Sequence, residues 1–442
     1  MILTRDGLHR TLKLELDEGR AATIEEAQSI TSSYRIQIIV GDDVPTSPTR
    51  QAALLTAVNT AARAFGGGVY VTGDLDWDIT VPWGARQPAH HIVTGLGGTP
   101  TTALTEDDPT LVIGTADDFV GSVVMQTTWD GWAGGIVPAG AIRLAETLEH
   151  PLAGILAGAL GVSEAFSHVR GNVTAGQKPV GLSLWRLNVD WRDPAGTGRA
   201  LGYLPTRLWL PGLGHLGQAY LWALGFLPSP NPAQIELTLQ DFDRIVPANR
   251  STGLLVHRDT PDGVLKTRLA ASAMEQLGYR TRIIERPFDS STRPGPGEPT
   301  WALAGFDSPI PRQHLGVFDL AVDLGLGSAV DDYLGIHLHT FPAAGNPSDT
   351  FTNAANDSDP ELADWAIAAA ADRCGVLQLR GAAIGAAFVG AVAATIGLAE
   401  VLCALGGQPP TAVASFALNA LHDIDVVPGD IAPPGNPGYQ AA

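Results

Sequence analysis

Three glycines between an apolar segment and a helix-like segment constrain this chain more than any other feature. The stretch LWLPGLGHLGQAY (208–220) contains the pattern Gly212-x-Gly214-x-x-Gly217. Gly212 permits a tight turn, Gly214 lets the backbone approach a phosphate, and Gly217 lets the following helix pack close to the strand. The N-terminus of such a helix attracts an anion. The pattern therefore predicts a strand–turn–helix unit that binds a nucleotide, and it fits NAD, FAD and ATP equally.

Predicted strands and helices alternate in the second half of the chain. The strands are at 207–210, 235–241, 280–286, 300–306 and 317–323, and the helices are at 215–225 and 264–278. This alternation indicates an α/β fold of the Rossmann-like kind, with a mostly parallel sheet. In the first half we expect short strands over 1–40, helices over 48–65 and 151–170, and β-rich segments between them.

The chain also contains an internal echo. LAGALGVSEAF (156–166) and VAATIGLAEVL (392–402) align without a gap and share an Ala-rich run, a Gly and a Glu at matched positions. We infer two related halves that form a pseudo-dimer in one polypeptide; chance similarity between two Ala-rich helices is the alternative. Only the second half has the three-glycine pattern, so we expect an inactive domain at 1–192 and an active nucleotide-binding domain at 193–442.

Composition limits the partners of the protein. The 442 residues carry a net charge of −19, which repels phosphate backbones and anionic lipid, so we expect neither nucleic-acid nor membrane binding. The uncharged run 381–399 is long enough to cross a membrane, but its Ala and Gly content favours a helix packed inside the protein. Two cysteines, Cys374 and Cys403, are too few for a four-cysteine zinc site. The charged N-terminus lacks a signal-peptide core, which predicts a cytoplasmic protein.

Charged residues after the glycine turn favour ATP over a redox dinucleotide. Asp241 ends the next predicted strand, where a carboxylate can bind ribose hydroxyls. Asn249 and Arg250 follow, Lys266 opens the next helix, and Asp307 ends a later strand. A hydride-transfer site has little use for these cations and the extra carboxylate. A site that cleaves a triphosphate needs both, because Arg and Lys neutralise the phosphates and Asp holds Mg²⁺.

This series of residues resembles the ThiF/MoeB superfamily, which includes ubiquitin-activating enzymes and their bacterial relatives. The family pattern DxDxVxxSNLxRQ is matched in part by DFDRIVPANRSTGLL (241–255), which keeps Asp241, Asp243 and Asn249. FDSPIPR (306–312) matches the family's Asp-x-x-x-x-Arg, and CGVLQLRGAAIGAAFVGAVAATIGLAEVL (374–402) resembles its Cys-containing stretch and Gly/Ala-rich helix. The resemblance covers about 207–405.

Two features depart from the family pattern. The family Arg usually comes three residues after the Asn, whereas Arg250 is adjacent to Asn249, and Arg258 is an alternative phosphate ligand. The paired Cys-x-x-Cys zinc site of many relatives is absent from the sequence.

The resemblance implies a Rossmann-like adenylation fold that uses ATP and Mg²⁺ to adenylate the C-terminal carboxylate of a ubiquitin-like protein ending in Gly. Asp307 would hold Mg²⁺, and Arg250 and Lys266 would stabilise the phosphates. Cys374, after a crossover loop at about 326–373, would then accept the carrier as a thioester for a conjugating enzyme. Single-chain activators with a degenerate N-terminal half resemble those of bacterial ubiquitin-like conjugation (BIL-type) operons, some tied to antiviral defence.

Other functions remain open at the level of the sequence. One is adenylation of a sulfur-carrier protein or peptide without a thioester, and another is a dinucleotide-dependent oxidoreductase. A third is a non-catalytic scaffold that retains a nucleotide pocket. Asp243 is equally suited to Mg²⁺ binding and to fixing the turn, and the sequence leaves open whether two chains form a homodimer.

Overall fold

Two β-sheets of the same topology form the framework of the protein. The structure, a computed structural model, describes residues 9–352, 384–430 and 432–442. The N-terminal strands are β1 (Arg35–Val40), β2 (Gly68–Thr72), β3 (Gly98–Pro100), β4 (Thr110–Ile113), β5 (Val124–Asp130), β6 (Ala133–Pro138) and β7 (Val180–Ser183). They pair in the order β3-β2-β1-β4-β5-β6-β7.

The C-terminal sheet repeats this order and adds one strand at its edge. Its strands are β9 (Arg207–Pro211), β10 (Glu236–Gln240), β11 (Arg280–Ile284), β12 (Trp301–Ala304), β13 (Leu320–Leu326), β14 (Gly335–Phe341), β15 (Thr411–Ala417) and β16 (Asp425–Pro428). They pair in the order β11-β10-β9-β12-β13-β14-β15-β16. The remaining strands, β8 (Tyr203–Pro205) and β17 (Tyr439–Ala441), pair with each other.

The described helices connect the strands of the two sheets. Those of the first half are α1 (Arg10–Asp17), α2 (Ile24–Thr31), α3 (Pro48–Ala61), α4 (Ala89–Gly95) and α5 (Pro151–Val169). Those of the second half are α6 (His215–Leu224), α7 (Lys266–Gln276), α8 (Pro309–Arg312), α9 (Pro347–Thr350) and α10 (Ala387–Leu405).

The two sheets match in strand direction as well as order. β1 is parallel to β2 and β4, as β9 is parallel to β10 and β12. In each half the chain then turns back to form antiparallel pairs, β5–β6–β7 in the first and β13–β14–β15 in the second. The prediction of a Rossmann-like α/β fold with two related halves is therefore confirmed.

Helices α5 and α10 correspond residue by residue. Both have 19 residues, and their bounds differ by a constant 236 positions, so Glu164 matches Glu400. The carboxylate of Glu164 accepts a hydrogen bond from the backbone N–H of Gly176 at 2.8 Å. The carboxylate of Glu400 accepts one from the backbone N–H of Thr411, also at 2.8 Å. The ungapped echo in the sequence thus corresponds to a repeated structural role, a buried Glu that ties the helix to the chain that follows.

Helices α5 and α10 are long and apolar enough to span a membrane, yet they lie inside the protein. Buried residues make up 83% of the most apolar window of α5 and 94% of that of α10. The two helices pack against each other, and the rings of Phe166 and Phe388 meet with centroids 5.6 Å apart. α3 packs against α5, and α6 against α10, so one apolar core runs through both halves.

Two expectations from the sequence are wrong. Residues 1–40 do not form only strands, because α1 and α2 precede β1. The Thr23 side chain caps α2 by accepting from the Glu26 N–H, and this Thr-x-x-Glu pattern is typical of a helix start. The expected crossover loop at 326–373 contains β14, whose alternating pattern GIHLHTF buries Ile336 and Leu338. The part of that segment from 353 onward lies outside the described residues.

The buried Glu400 makes stability depend on pH. Burial raises its pKa to about 7, so the protonated form is favoured in the folded protein and the free energy of unfolding falls as pH rises from about 4.5 through 7. The loss is about 3 kcal/mol, since one pKa unit corresponds to about 1.4 kcal/mol. We expect Glu400→Gln to flatten the melting temperature between pH 5 and pH 8 relative to wild type. Glu164→Gln, at the matching site, should change the slope in the same direction, because burial also raises the pKa of Glu164. Equal pH slopes in all three proteins would contradict this account.

Candidate functional site

The glycine turn lies where the order of strands in the C-terminal sheet reverses. β9 has β10 on one side and β12 on the other, and open α/β sheets bind ligands at such a point, beyond the carboxyl ends of the strands. Gly212 follows β9 with φ of +85°, a conformation that favours glycine. A Cβ on Gly217 would lie 2.0 Å from the Gly212 carbonyl oxygen, and one on Gly305 would lie 2.7 Å from the same atom. These three glycines bring the turn, α6 and the end of β12 into direct backbone contact.

Gly214 differs from the other two glycines of the pattern because no described residue crowds it. It is the N-cap of α6, where no side chain of the described residues caps the free N–H groups, and a Cβ placed on it would meet none of their atoms within 4 Å. The first N–H groups of a helix have no partner inside the helix and carry a partial positive charge. The turn therefore leaves uncapped N–H groups at the edge of the sheet, an arrangement that suits an anion.

Two carboxylates after β10 lie beside this turn. Asp241 accepts hydrogen bonds from the backbone N–H groups of Leu213 and Asp243, both at 2.7 Å. A carboxylate has about four lone-pair positions, so Asp241 retains capacity for ribose hydroxyls. Asp243 pairs with Lys266, whose ammonium lies 2.8 Å from its carboxylate and whose side chain is only 11% exposed. The structure thus brings Asp241, Asp243 and Lys266 together next to the glycine turn.

Asp307 stands at the carboxyl end of β12, two residues after Gly305. Its side chain is exposed and has no hydrogen bond or ion pair within residues 9–352, 384–430 and 432–442. Arg312 supports the turn that carries it, since its guanidinium donates to the Phe306 carbonyl at 2.5 Å. Arg312 in turn lies 3.3 Å from the carboxylate of Asp323, which is fully buried. Burial raises the pKa of Asp323 to about 6, and the nearby Arg312 opposes this rise.

Asn249 and Arg250 have local partners in the structure. The Asn249 side-chain oxygen accepts from the Val246 N–H at 2.9 Å and stabilises the short helical turn Pro247–Ser251. The Arg250 guanidinium pairs with Asp262 at 2.8 Å and donates to the Thr260 carbonyl at 2.7 Å. To contact a phosphate, Arg250 would have to exchange these partners. Its role as a phosphate ligand stays a prediction, as does that of Arg258.

The matching position in the N-terminal half is filled by the protein's own carboxylates. Asp43, after β1, accepts hydrogen bonds from the backbone N–H and the hydroxyl of Thr115 at 2.8 and 2.9 Å. Glu149 accepts from the hydroxyl of Ser47 and from the N–H of Thr49, at the start of α3, at 2.8 and 2.9 Å. The helix N-terminus that is open in the second half is therefore already bound by an anion in the first. Asp42, Asp117 and Asp118 also line the cleft, which makes it repel phosphates.

Several residues of the site could not be assigned from the sequence. Gln218, Asp323 and Arg63 are buried. Gln218 donates to the Leu213 carbonyl, Asp323 pairs with Arg312, and Arg63 donates to the carbonyls of Gly253 and Val256. Two of them carry a weak signal: Asp323 is the one charge in the apolar strand LAVDLGL, and Arg63 is the one charged residue between 51 and 73. A lone charge in an apolar element is costly to bury, so it indicates a specific partner. Cys374 lies outside the described residues.

Family models match both halves of the chain. The BilD N-terminal domain matches residues 35–184, and the BilD C-terminal domain matches residues 204–408. The bacterial E1-like protein BilD of Collimonas sp. (strain OK412) is 34% identical over 453 residues, an alignment that covers 100% of this chain and 98% of that protein.

Solved structures show weaker likenesses. E. coli MccB is 12% identical, with a TM-score of 0.36 over 70% of this chain and 92% of that chain. TcdA (CsdL) is 17% identical, with a TM-score of 0.29 over 46% of this chain and 88% of that chain. These TM-scores are too low to support an inference. The sequence matches are sufficient by themselves, since they extend over both duplicated halves and over the full length of the relative, and they show that this chain belongs to the BilD family.

Proposed function

We propose that this protein uses ATP to adenylate the C-terminal carboxylate of a ubiquitin-like protein in its C-terminal half. The observation that carries the proposal is the open N-terminus of α6 at Gly214, beside Asp241, Lys266 and Asp307. The full-length relative is named an E1-like protein, and the sequence resembles the ThiF/MoeB superfamily. Both support the activation of a carboxylate rather than hydride transfer.

The described residues fit a nucleoside triphosphate and a divalent cation. The space at Gly214 admits a phosphate against backbone N–H groups, and Asp241 retains lone pairs for a ribose. Mg²⁺ is commonly held by one or two carboxylates together with substrate phosphates, and the exposed Asp307 offers such a carboxylate. When bound, Mg²⁺ supplies positive charge that neutralises the phosphates.

In the proposed reaction, a carboxylate oxygen of the carrier attacks the α-phosphorus of ATP. An acyl–phosphate bond forms, the bond from the α-phosphorus to the bridging oxygen breaks, and pyrophosphate leaves with that electron pair. Lys266 stabilises the negative charge of the phosphates, and Arg250 does so after it exchanges its partners Asp262 and Thr260. The N–H groups of the glycine turn position the phosphates. The N-terminal half contributes no second nucleotide site, because Asp43 and Glu149 fill the matching position.

A protein substrate suits the surface next to the site. Phe242, between Asp241 and Asp243, is 57% exposed, and an exposed apolar side chain beside the site supports contact with a carrier protein. After adenylation, the thiolate of Cys374 attacks the acyl carbon, AMP leaves, and a thioester forms for transfer to a conjugating enzyme. This second step follows from the resemblance of the segment around Cys374 to the cysteine region of the superfamily.

Substitutions at Gly214 and Gly217 distinguish an effect on nucleotide binding from an effect on folding. Because a Cβ at Gly214 meets no atom of the residues that the structure describes within 4 Å and its φ is −76°, we expect Gly214→Ala to melt near the wild-type temperature. The added methyl group would take the space proposed for a phosphate, so the variant should lose most stabilisation by Mg-ATP. Saturating ligand at 100 times its Kd stabilises by about 2.7 kcal/mol, which a thermal shift detects. Gly217→Ala should instead lower the free energy of unfolding by about 1–3 kcal/mol, since its Cβ would overlap the Gly212 carbonyl.

Two results of that experiment would contradict the proposal. In one, Gly214→Ala keeps the full shift with Mg-ATP, so that the ligand binds elsewhere. In the other, wild type is stabilised by NAD and not by Mg-ATP, which would indicate a dinucleotide-dependent oxidoreductase.

The two cysteines provide a matched test of the thioester step. We expect Cys374→Ala to retain carrier-dependent ATP–pyrophosphate exchange and to lose the thiol-sensitive conjugate between enzyme and carrier on a non-reducing gel. Cys403→Ala should keep both, because Cys403 is buried in α10 and burial raises the pKa of its thiol. A wild-type enzyme that exchanges pyrophosphate but forms no conjugate would favour adenylation of a sulfur carrier or peptide without a thioester.

A further inference from the structure

The end of α3 in the N-terminal half reaches the segment 253–256, which lies behind the glycine turn of the other half. We propose that the N-terminal half positions the glycine turn through a buried chain of hydrogen bonds that starts at Asn59 and Arg63. The proposal concerns residues with no assigned role, and its link to ATP rests on the proposed function.

The first link joins the two halves. The Asn59 side-chain amide donates to the Leu254 carbonyl at 3.1 Å. The Arg63 guanidinium donates to the Gly253 carbonyl at 3.2 and 3.0 Å and to the Val256 carbonyl at 2.8 Å. Asn59 is fully buried and Arg63 is 7% exposed, so water does not compete for these contacts. Three carbonyls of the segment 253–256 are therefore fixed by two side chains of the first half.

The second link runs from this segment to α6. The Gln218 side-chain oxygen accepts from the Leu255 N–H at 3.2 Å, and its amide donates to the Leu213 carbonyl at 3.2 Å. Gln218 is 2% exposed, and a Cβ on Gly253 would lie 2.6 Å from its side-chain oxygen. The side chain is thus held between the segment and the turn, with both of its polar ends satisfied.

The third link fixes the peptide units before Gly214. The Leu213 carbonyl is bound by Gln218, and the Leu213 N–H is bound by Asp241 at 2.7 Å. Holding Leu213 on both sides sets the direction in which the open N–H groups at the start of α6 point. Such orientation matters because preorganised donors stabilise an anion without a further cost of reorganisation.

The positive charge of Arg63 also acts on the start of α6. Its hydrogen-bond acceptors are the neutral oxygens of Asn59, Gly253 and Val256, and no carboxylate within the described parts of the chain forms an ion pair with it. Burial lowers the pKa of Arg63 to about 10, which still leaves it protonated at neutral pH. An unpaired buried cation is costly, and its field extends into its low-dielectric surroundings. This field reaches His215, the first residue of α6. Burial lowers the pKa of His215 to about 4, and the charge of Arg63 contributes to the lowering.

A different hydrogen bond between the halves offers a matched control. Thr56, also on α3, accepts from the Trp222 indole N–H at 3.0 Å. This contact joins the halves and has no bond to the segment 253–256 or to the glycine turn. Thr56→Val should weaken the interface by a similar amount and leave the positioning of Leu213 unchanged.

The proposal is tested on the full-length chain by hydrogen–deuterium exchange of the peptide 208–220 and by Mg-ATP affinity. We expect Asn59→Ala and Gln218→Met to speed exchange in the turn and to weaken Mg-ATP binding, each by about fivefold, since one hydrogen bond contributes about 1 kcal/mol. Arg63→Lys, which keeps the charge and loses the forked contact, should speed exchange in the turn in the same way. Thr56→Val should lower the melting temperature and leave both readouts at the wild-type value.

Either of two results would overturn the proposal. One is wild-type exchange of the turn in both Asn59→Ala and Gln218→Met. The other is equally fast exchange of the turn in Thr56→Val, which would mean that any weakening of the interface between the halves has the same effect as breaking this chain of hydrogen bonds. If wild type does not bind Mg-ATP, the proposed function fails, and the exchange data still decide whether the N-terminal half positions the turn.

Discussion

Close packing of helices rich in small residues, between two sheets of the same topology, is the constraint on which the rest of the structure depends. A Cβ on Gly154 of α5 would lie 2.0 Å from the Thr49 carbonyl, and one on Gly158 would lie 2.4 Å from that of Ala53. At these distances the backbones of α3 and α5 touch, so even a methyl group would force them apart. Because α5 also packs against α10, the halves share one core, and the end of α3 is carried into contact with the segment behind the glycine turn.

The duplication preserves the architecture and changes the chemistry. Both halves place a glycine after the first strand of the sheet, Gly41 and Gly212, and a helix after it. In the second half no described residue crowds the start of the helix. In the first, Glu149 accepts from the Thr49 N–H at the start of α3, and Asp43 occupies the neighbouring turn. A carboxylate of the protein takes the place that a phosphate would need. The first half is thereby free to act as a support, and Asn59 and Arg63 are the residues through which we propose that it does so.

The sequence predicted local patterns well and long-range partners poorly. The glycine turn, the strands around it and the echo that matches Glu164 with Glu400 follow from short-range spacing, and the structure confirms them. The partnership of Glu149 with Thr49 spans 100 residues, and that of Arg63 with Gly253 spans 190, and no local pattern encodes either contact. The Thr-x-x-Glu cap at Thr23 is a local signal for α2, whereas α1 has no side-chain cap and lies in a short, strongly charged segment. Asp241 and Asp307 follow β10 and β12, which flank β9, so their position at one edge of the sheet follows from the rule that the carboxyl ends of neighbouring parallel strands meet.

The central claim is that two halves of one fold contain a single working nucleotide site. Equilibrium titration of the purified chain with Mg-ATP, read by calorimetry, tests it most directly. The account predicts one ATP per chain, with the same stoichiometry in Asp43→Asn, because Glu149 still binds the helix N-terminus of the first half. Two ATP molecules per wild-type chain, or a single site that survives Gly214→Ala and is lost in Asp43→Asn, would contradict it.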